Sequence, residues 1–80
     1  MKALVTITFK NGVLDPEAKA IQNALHSLEF SEVSQVSVSK IITLYFDHKD
    51  SQKALEQSKQ MAEELLANLV IQDYFIEIEQ

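Results

Sequence analysis

The only Gly and the only Pro of this chain fall close together, in Lys10-Asn11-Gly12-Val13-Leu14-Asp15-Pro16-Glu17, and each sits where the backbone needs it. Gly12 follows the alternating run Ala3 to Phe9 and can take the positive φ that turns a chain. Asp15 can accept the free amide hydrogens of a helix start. Pro16 suits the first helical position, where its missing N–H costs nothing. Glu17 adds negative charge to the first turn, where the helix dipole favours it. A strand, a turn and a capped helix are therefore expected in that order. None of these residues is a reacting group.

Hydrophobic spacing carries the reading onward. Ala3, Val5, Ile7 and Phe9 are apolar while Lys2, Thr6 and Thr8 alternate with them, as in a strand with one buried face. Ala18, Ile21, Leu25 and Leu28 recur at helical spacing. Val33 to Lys40 alternates again, with Val36 and Val38 opposite Ser37 and Ser39, and predicts a second strand. Ile41 to Phe46 predicts a third, with Lys40 at the turn between the two. After the polar loop Asp47 to Ser51, which offers Asp50 and Ser51 as caps, a long amphipathic helix is expected from Ala54 to Leu69. Tyr74, Ile76 and Ile78 then alternate with Phe75, Glu77 and Glu79 in a last strand. The expected architecture is one α+β domain over residues 1–80. It is a β-α-β-β-α-β ferredoxin-like sandwich, a four-stranded antiparallel sheet with two helices on one face.

Such a sheet leaves its other face uncovered. Strand period places Leu4, Thr6, Thr8, Ile41, Thr43, Tyr45 and Phe75 there. Leu4, Ile41, Thr43, Tyr45 and Phe75 are the candidate self-association face. Against this stands a simpler reading, in which a solvated face carries a few apolar residues without consequence.

Composition narrows the function. Eighty residues bury only roughly 60–65% of their extended-chain surface when folded alone, so self-association would help this chain. There is no Arg, and a net charge of −5 argues against binding a phosphate backbone. There is no Cys, hence no thiolate nucleophile, thiolate metal site or disulfide. No apolar run approaches the ~20 residues of a membrane span, the start alternates rather than forming a signal-peptide core, and a cytoplasmic location is expected. One Gly cannot make a phosphate cradle, and the serines lack a nucleophile elbow or a spaced His partner. His26 reads as a helix-surface residue. His48 between Asp47 and Asp50 is a weak metal candidate that reads better as a capping loop. Lys40 is either a plain turn lysine or a charge shown to a partner. No catalytic, cofactor-binding or metal residue is assigned.

Two blocks resemble the PurS family, the small subunit of phosphoribosylformylglycinamidine (FGAM) synthase. The first is Gly12-Val13-Leu14-Asp15-Pro16 with Lys19 to Leu28; the second is Leu65 to Tyr74, ending in Ile76-Glu77-Ile78-Glu79. Val36 to Leu44 is similar more loosely. The residues carrying the likeness are Gly12, Asp15, Pro16, Lys40, Asp73 and Tyr74. The chain departs from the family pattern at Ser39 and Ala18, where Gly is common, and at Leu69, where Pro is common. The resemblance implies a non-catalytic subunit in de novo purine biosynthesis. It would join a large ATP-dependent synthase subunit (PurL type) to a glutaminase subunit (PurQ type) and assist ammonia transfer. It implies a dimer or tetramer, with ATP and Mg bound in the large subunit and no cofactor on this chain. A small-molecule-sensing regulatory module of the same topology is the alternative. An RNA-binding sheet is disfavoured because Asp73, Glu77 and Glu79 surround Phe75.

Overall fold

The protein, described over residues 1–80 by a computed structural model, is built from three strands and two helices. Strand β1 is Lys2–Phe9, helix α1 Pro16–Ser27, strand β2 Ser39–Tyr45, helix α2 Ser51–Met61, and strand β3 Gln72–Glu79. A π-helical turn, Ala62–Leu66, extends α2. β1 lies in the middle, antiparallel to both neighbours, in the order β2-β1-β3.

The punctuation at the start of the chain behaves as its residue types require. Gly12 has φ +84°. The turn closes through the Val13 N–H donating to Lys10 O at 3.1 Å. The Asp15 carboxylate accepts the amide hydrogens of Glu17 (3.1 Å) and Ala18 (3.2 Å). A Cβ built on Gly12 meets nothing within 4 Å, so only its backbone angle resists substitution. Gly12→Val should therefore cost roughly 1–3 kcal/mol through backbone strain. Asp15→Ala should cost about 1 kcal/mol through the lost cap. Denaturant midpoints of the two variants check both values. α1 ends in a Schellman arrangement, with Glu29 at φ 72°, its N–H on His26 O and the Phe30 N–H on Leu25 O, both at 3.0 Å.

Two expectations about the sheet need correction. It has three strands, not four, because residues 33–38 take no place in it. Their valines do alternate, but a hairpin back onto β2 needs a reversal at Ser39-Lys40. Tight hairpin turns use positive φ, and only Gly12 and Glu29 have it in this chain. Both edges of β1 are already taken. The segment therefore runs straight into β2, and Lys40 is a strand residue opposite Ile7 instead of a turn residue.

The second correction concerns the helices. Only α2 packs on the sheet, against β3 and β1, while α1 makes no extensive contact with any strand. Instead α1 is tied to the chain leading into β2: Gln22 Nε2 donates to Ser34 O at 3.1 Å, and His26 Nε2 lies 2.8 Å from Val33 O. Together they form an arm. The Cα radius of gyration is 16.1 Å, against about 12 Å for a compact chain of this length.

The core under α2 is small. Val5 and Ile7 meet Ala62 and Ala67, with Ile42, Leu44, Leu66, Tyr74 and Ile76 packed around them. Ala54, Ser58 and Ala62 are buried at four-residue spacing, so α2 presents small side chains to the sheet. Ser58 Oγ is buried without a hydrogen-bond partner. Removing an unsatisfied hydroxyl relieves its desolvation cost, so Ser58→Ala should hold or raise stability, by up to about 1 kcal/mol. A lower melting temperature would contradict this. The long helix expected to Leu69 stops earlier, after the Ala67 N–H bonds Ala62 O at 2.9 Å in a five-residue step. Asn68 then turns the chain: its Oδ1 accepts the Val70 N–H at 3.1 Å and its carbonyl accepts the Gln72 N–H at 2.7 Å. That side-chain turn makes a Pro at position 69 unnecessary.

Candidate interaction surface

The pairing register puts the expected face residues on one side of the sheet. Across β2-β1-β3 the rows read Ile41, Thr6, Phe75; then Thr43, Leu4, Glu77; then Tyr45, Lys2, Glu79. α2 lies on the other side, where the rows carry Val5 and Ile7. Ile41 is 62% exposed, Tyr45 79% and Phe75 61%. The face is thus apolar along β2 and acidic along β3, with Leu4 and the threonines between them.

Lysines balance the acidic margin. Lys2 Nζ is 3.6 Å from Glu79 Oε1, and Lys10 Nζ is 4.0 Å from Asp73 Oδ1. Both pairs are solvated, so each contributes at most about 1 kcal/mol and mainly sets the local charge pattern. Lys40 and Tyr74 flank Ile7 on the helix side, so they are not part of the open face. Gly12, Asp15 and Pro16 form the turn and cap already described and support no chemistry.

Tyr74 has a role that spacing did not reveal. Its hydroxyl donates to Glu63 Oε2 at 2.5 Å and so ties β3 to the π-helical turn. That hydrogen bond, then burial, then the Glu63 charge hold the phenol above its ordinary pKa. A raised phenol pKa contributes stability that is present below the unfolded value, near 10, and is lost as pH rises through the folded value. Tyr74→Phe should cost about 0.5–1 kcal/mol at neutral pH. The gap between variant and parent should shrink in alkaline unfolding titrations; a constant gap would point to packing alone.

The histidines are engaged locally. His26 contacts Val33 O. His48 Nε2 lies 3.1 Å from Gln57 Oε1, while its Nδ1 accepts the Asp50 N–H at 3.2 Å. Asp50 in turn caps α2 by accepting the Lys53 N–H at 3.1 Å. No three His, Asp or Glu side chains converge as metal ligands, and no helix is long and apolar enough to cross a membrane. What the surface offers is shape and apolar area, suited to joining chains.

Comparison with known proteins identifies the family. Residues 2–80 match the family model for PurS, described as phosphoribosylformylglycinamidine (FGAM) synthase. The phosphoribosylformylglycinamidine synthase subunit PurS of Methanocaldococcus jannaschii is 42% identical over 79 residues, covering 99% of this chain and 95% of the relative. The same subunit of Bacillus subtilis is 40% identical over 79 residues, covering 99% and 93%. The crystal structure of the M. jannaschii protein superposes with a TM-score of 0.88 over 99% of this chain and 95% of that one. A chain in the structure of PurLQS from Thermotoga maritima, 28% identical, matches with a TM-score of 0.83 over 95% and 93%. A full-length family match and relatives near 40% identical over almost the whole sequence place the chain in the PurS family of FGAM synthase subunits.

Proposed function

We propose that this protein works as the non-catalytic bridge of a three-component FGAM synthase, joining a PurL-type synthase subunit to a PurQ-type glutaminase and helping ammonia pass between them. The observation that carries the reading is the match, over nearly the whole length of both chains, to a component of PurLQS from Thermotoga maritima. The side-chain inventory is compatible with it. A bridge needs a rigid scaffold and shaped surfaces, and ammonia held between subunits is kept from solvent and from protonation. ATP and Mg belong to the large subunit in this scheme. The cytoplasm, where purine precursors and ATP meet, is its place of action.

The bridge is also proposed to be a homo-oligomer, with Leu4, Ile41, Thr43, Tyr45 and Phe75 as a joint between copies. The ligand-sensing alternative draws no support from the relatives. Co-purification tests the proposal: tagged chain should retain PurL-type and PurQ-type subunits from the same source, more firmly with ADP and glutamine present. Failure to retain either subunit under both conditions would overturn it.

A further inference from the structure

The end of α2 turns apolar side chains outward where helical spacing would turn them in. In an uninterrupted α-helix, Leu65 and Leu66 would follow the buried Ala62 on the core side. The five-residue step from Ala62 to Ala67 buries Ala67 there instead, with Leu66 packed beside it. Leu65 is left 82% exposed. Single π turns of this kind occur often at functional sites.

The loop that follows displays two more apolar side chains. Leu69 is 41% exposed and Val70 82%. This loop is laced to itself. Asn68 donates its N–H to Gln72 Oε1 at 2.8 Å, and its Oδ1 and carbonyl accept the N–H groups of Val70, Ile71 and Gln72. The Ile71 carbonyl accepts the Lys10 N–H at 2.9 Å, which pins the loop to the end of β1. A fixed loop that shows apolar side chains loses little freedom when something covers them.

Charge limits what that cover can be. Residues 61–80 hold five carboxylates and no Lys or Arg. Asp73 and Glu79 meet Lys10 and Lys2, but Glu63 meets only the Tyr74 hydroxyl and Glu64 only the Gln60 amide. A two-fold contact between copies at this end would set those acidic residues near their own counterparts, and like charges brought together oppose association.

We infer that Leu65, Leu69 and Val70 form a docking knob for a different protein, one that offers an apolar socket rimmed by Lys or Arg. Resting on the bridging role, the inference assigns the socket to one of the two subunits that this chain joins. The knob sits at the end of α2 and is separate from the Ile41-Tyr45-Phe75 face.

Equilibrium affinities of the whole chain for the purified PurL-type and PurQ-type subunits, each with ADP and glutamine present, test this. Leu65→Asp and Val70→Asp should each weaken binding to one subunit by about ten-fold or more, as the loss of an interface anchor does, and leave the other nearly unchanged. Val70→Ala keeps the loop's backbone hydrogen bonds and should weaken the same subunit to a smaller degree. Glu64→Gln should lower affinity for that subunit and flatten its salt dependence. An unchanged salt dependence would overturn the basic rim. Parent-like affinity of both Asp variants for both subunits would overturn the knob, as would equal weakening toward both, which marks a general loss of shape. A reduced sedimentation mass of the isolated Val70→Ala chain would show that a second copy covers the patch, and would overturn it too. If the parent chain binds neither subunit, the bridging role itself fails and this inference falls with it.

Discussion

Purified PurL-type and PurQ-type subunits are expected to make FGAM from glutamine only when this 80-residue chain is added. Omitting it should lower the glutamine-dependent rate on the order of 100-fold, the scale on which misplaced reactants lose rate. The isolated chain should show no ATPase, glutaminase or synthase turnover. It has no Cys, no Arg and a single Gly, and both histidines are occupied in local contacts. A nucleophile without a base partner and a phosphate site without a cradle cannot turn over at useful rates. Ammonium supplied in excess separates two parts of the role. If the chain only conveys ammonia, excess ammonium should restore synthesis without it; if it also holds the large subunit in its active shape, the requirement should persist. Synthase turnover by the purified chain alone would sink the bridging reading altogether.

The second large effect is expected at the open sheet face. Tyr45 and Phe75 project from β2 and β3 on the side away from α2, and Ile41 lies across Thr6 from Phe75. Burying a large side chain of this kind contributes on the order of 2–3 kcal/mol, so a few such anchors suffice to hold small subunits together. Tyr45→Glu or Phe75→Glu would place an unpaired charge in the joint while leaving the Val5-Ile7 core untouched. Smaller species in sedimentation, near-native circular dichroism and weaker support of glutamine-dependent synthesis should follow. The acidic margin at Glu77 and Glu79 makes Phe75→Glu the more disruptive of the two, since its new charge adds to like charges on the same strand. If both variants keep the parent mass, the face is merely solvated.

Much of this molecule follows from short-range rules. Gly12, Asp15 and Pro16 act within a few residues of themselves, so the positive φ, the cap and the helix start were legible from their types alone. The same holds for Asp50 capping α2 and for the two faces of β1, β2 and β3, because side-chain alternation depends only on strand period. The lack of Cys and Arg and the single Gly are read directly from the residue types.

Three features required the tertiary structure. Residues 33–38 have the alternation of a strand, but alternation specifies faces and not a partner. Both edges of β1 are occupied, and without a positive φ at Ser39-Lys40 the chain does not fold back onto the open edge of β2, so these residues take no place in the sheet. The stripe on α1 says that the helix wants an apolar cover, and hydrophobic attraction is non-directional, so the sequence alone does not say which surface supplies it. The Tyr74–Glu63 bond joins residues eleven apart through a π-helical turn, and its existence depends on where that extra residue is accommodated. Local chemistry wrote the elements and their faces; which faces meet was decided by geometry between distant segments, where spacing along the chain carries no information.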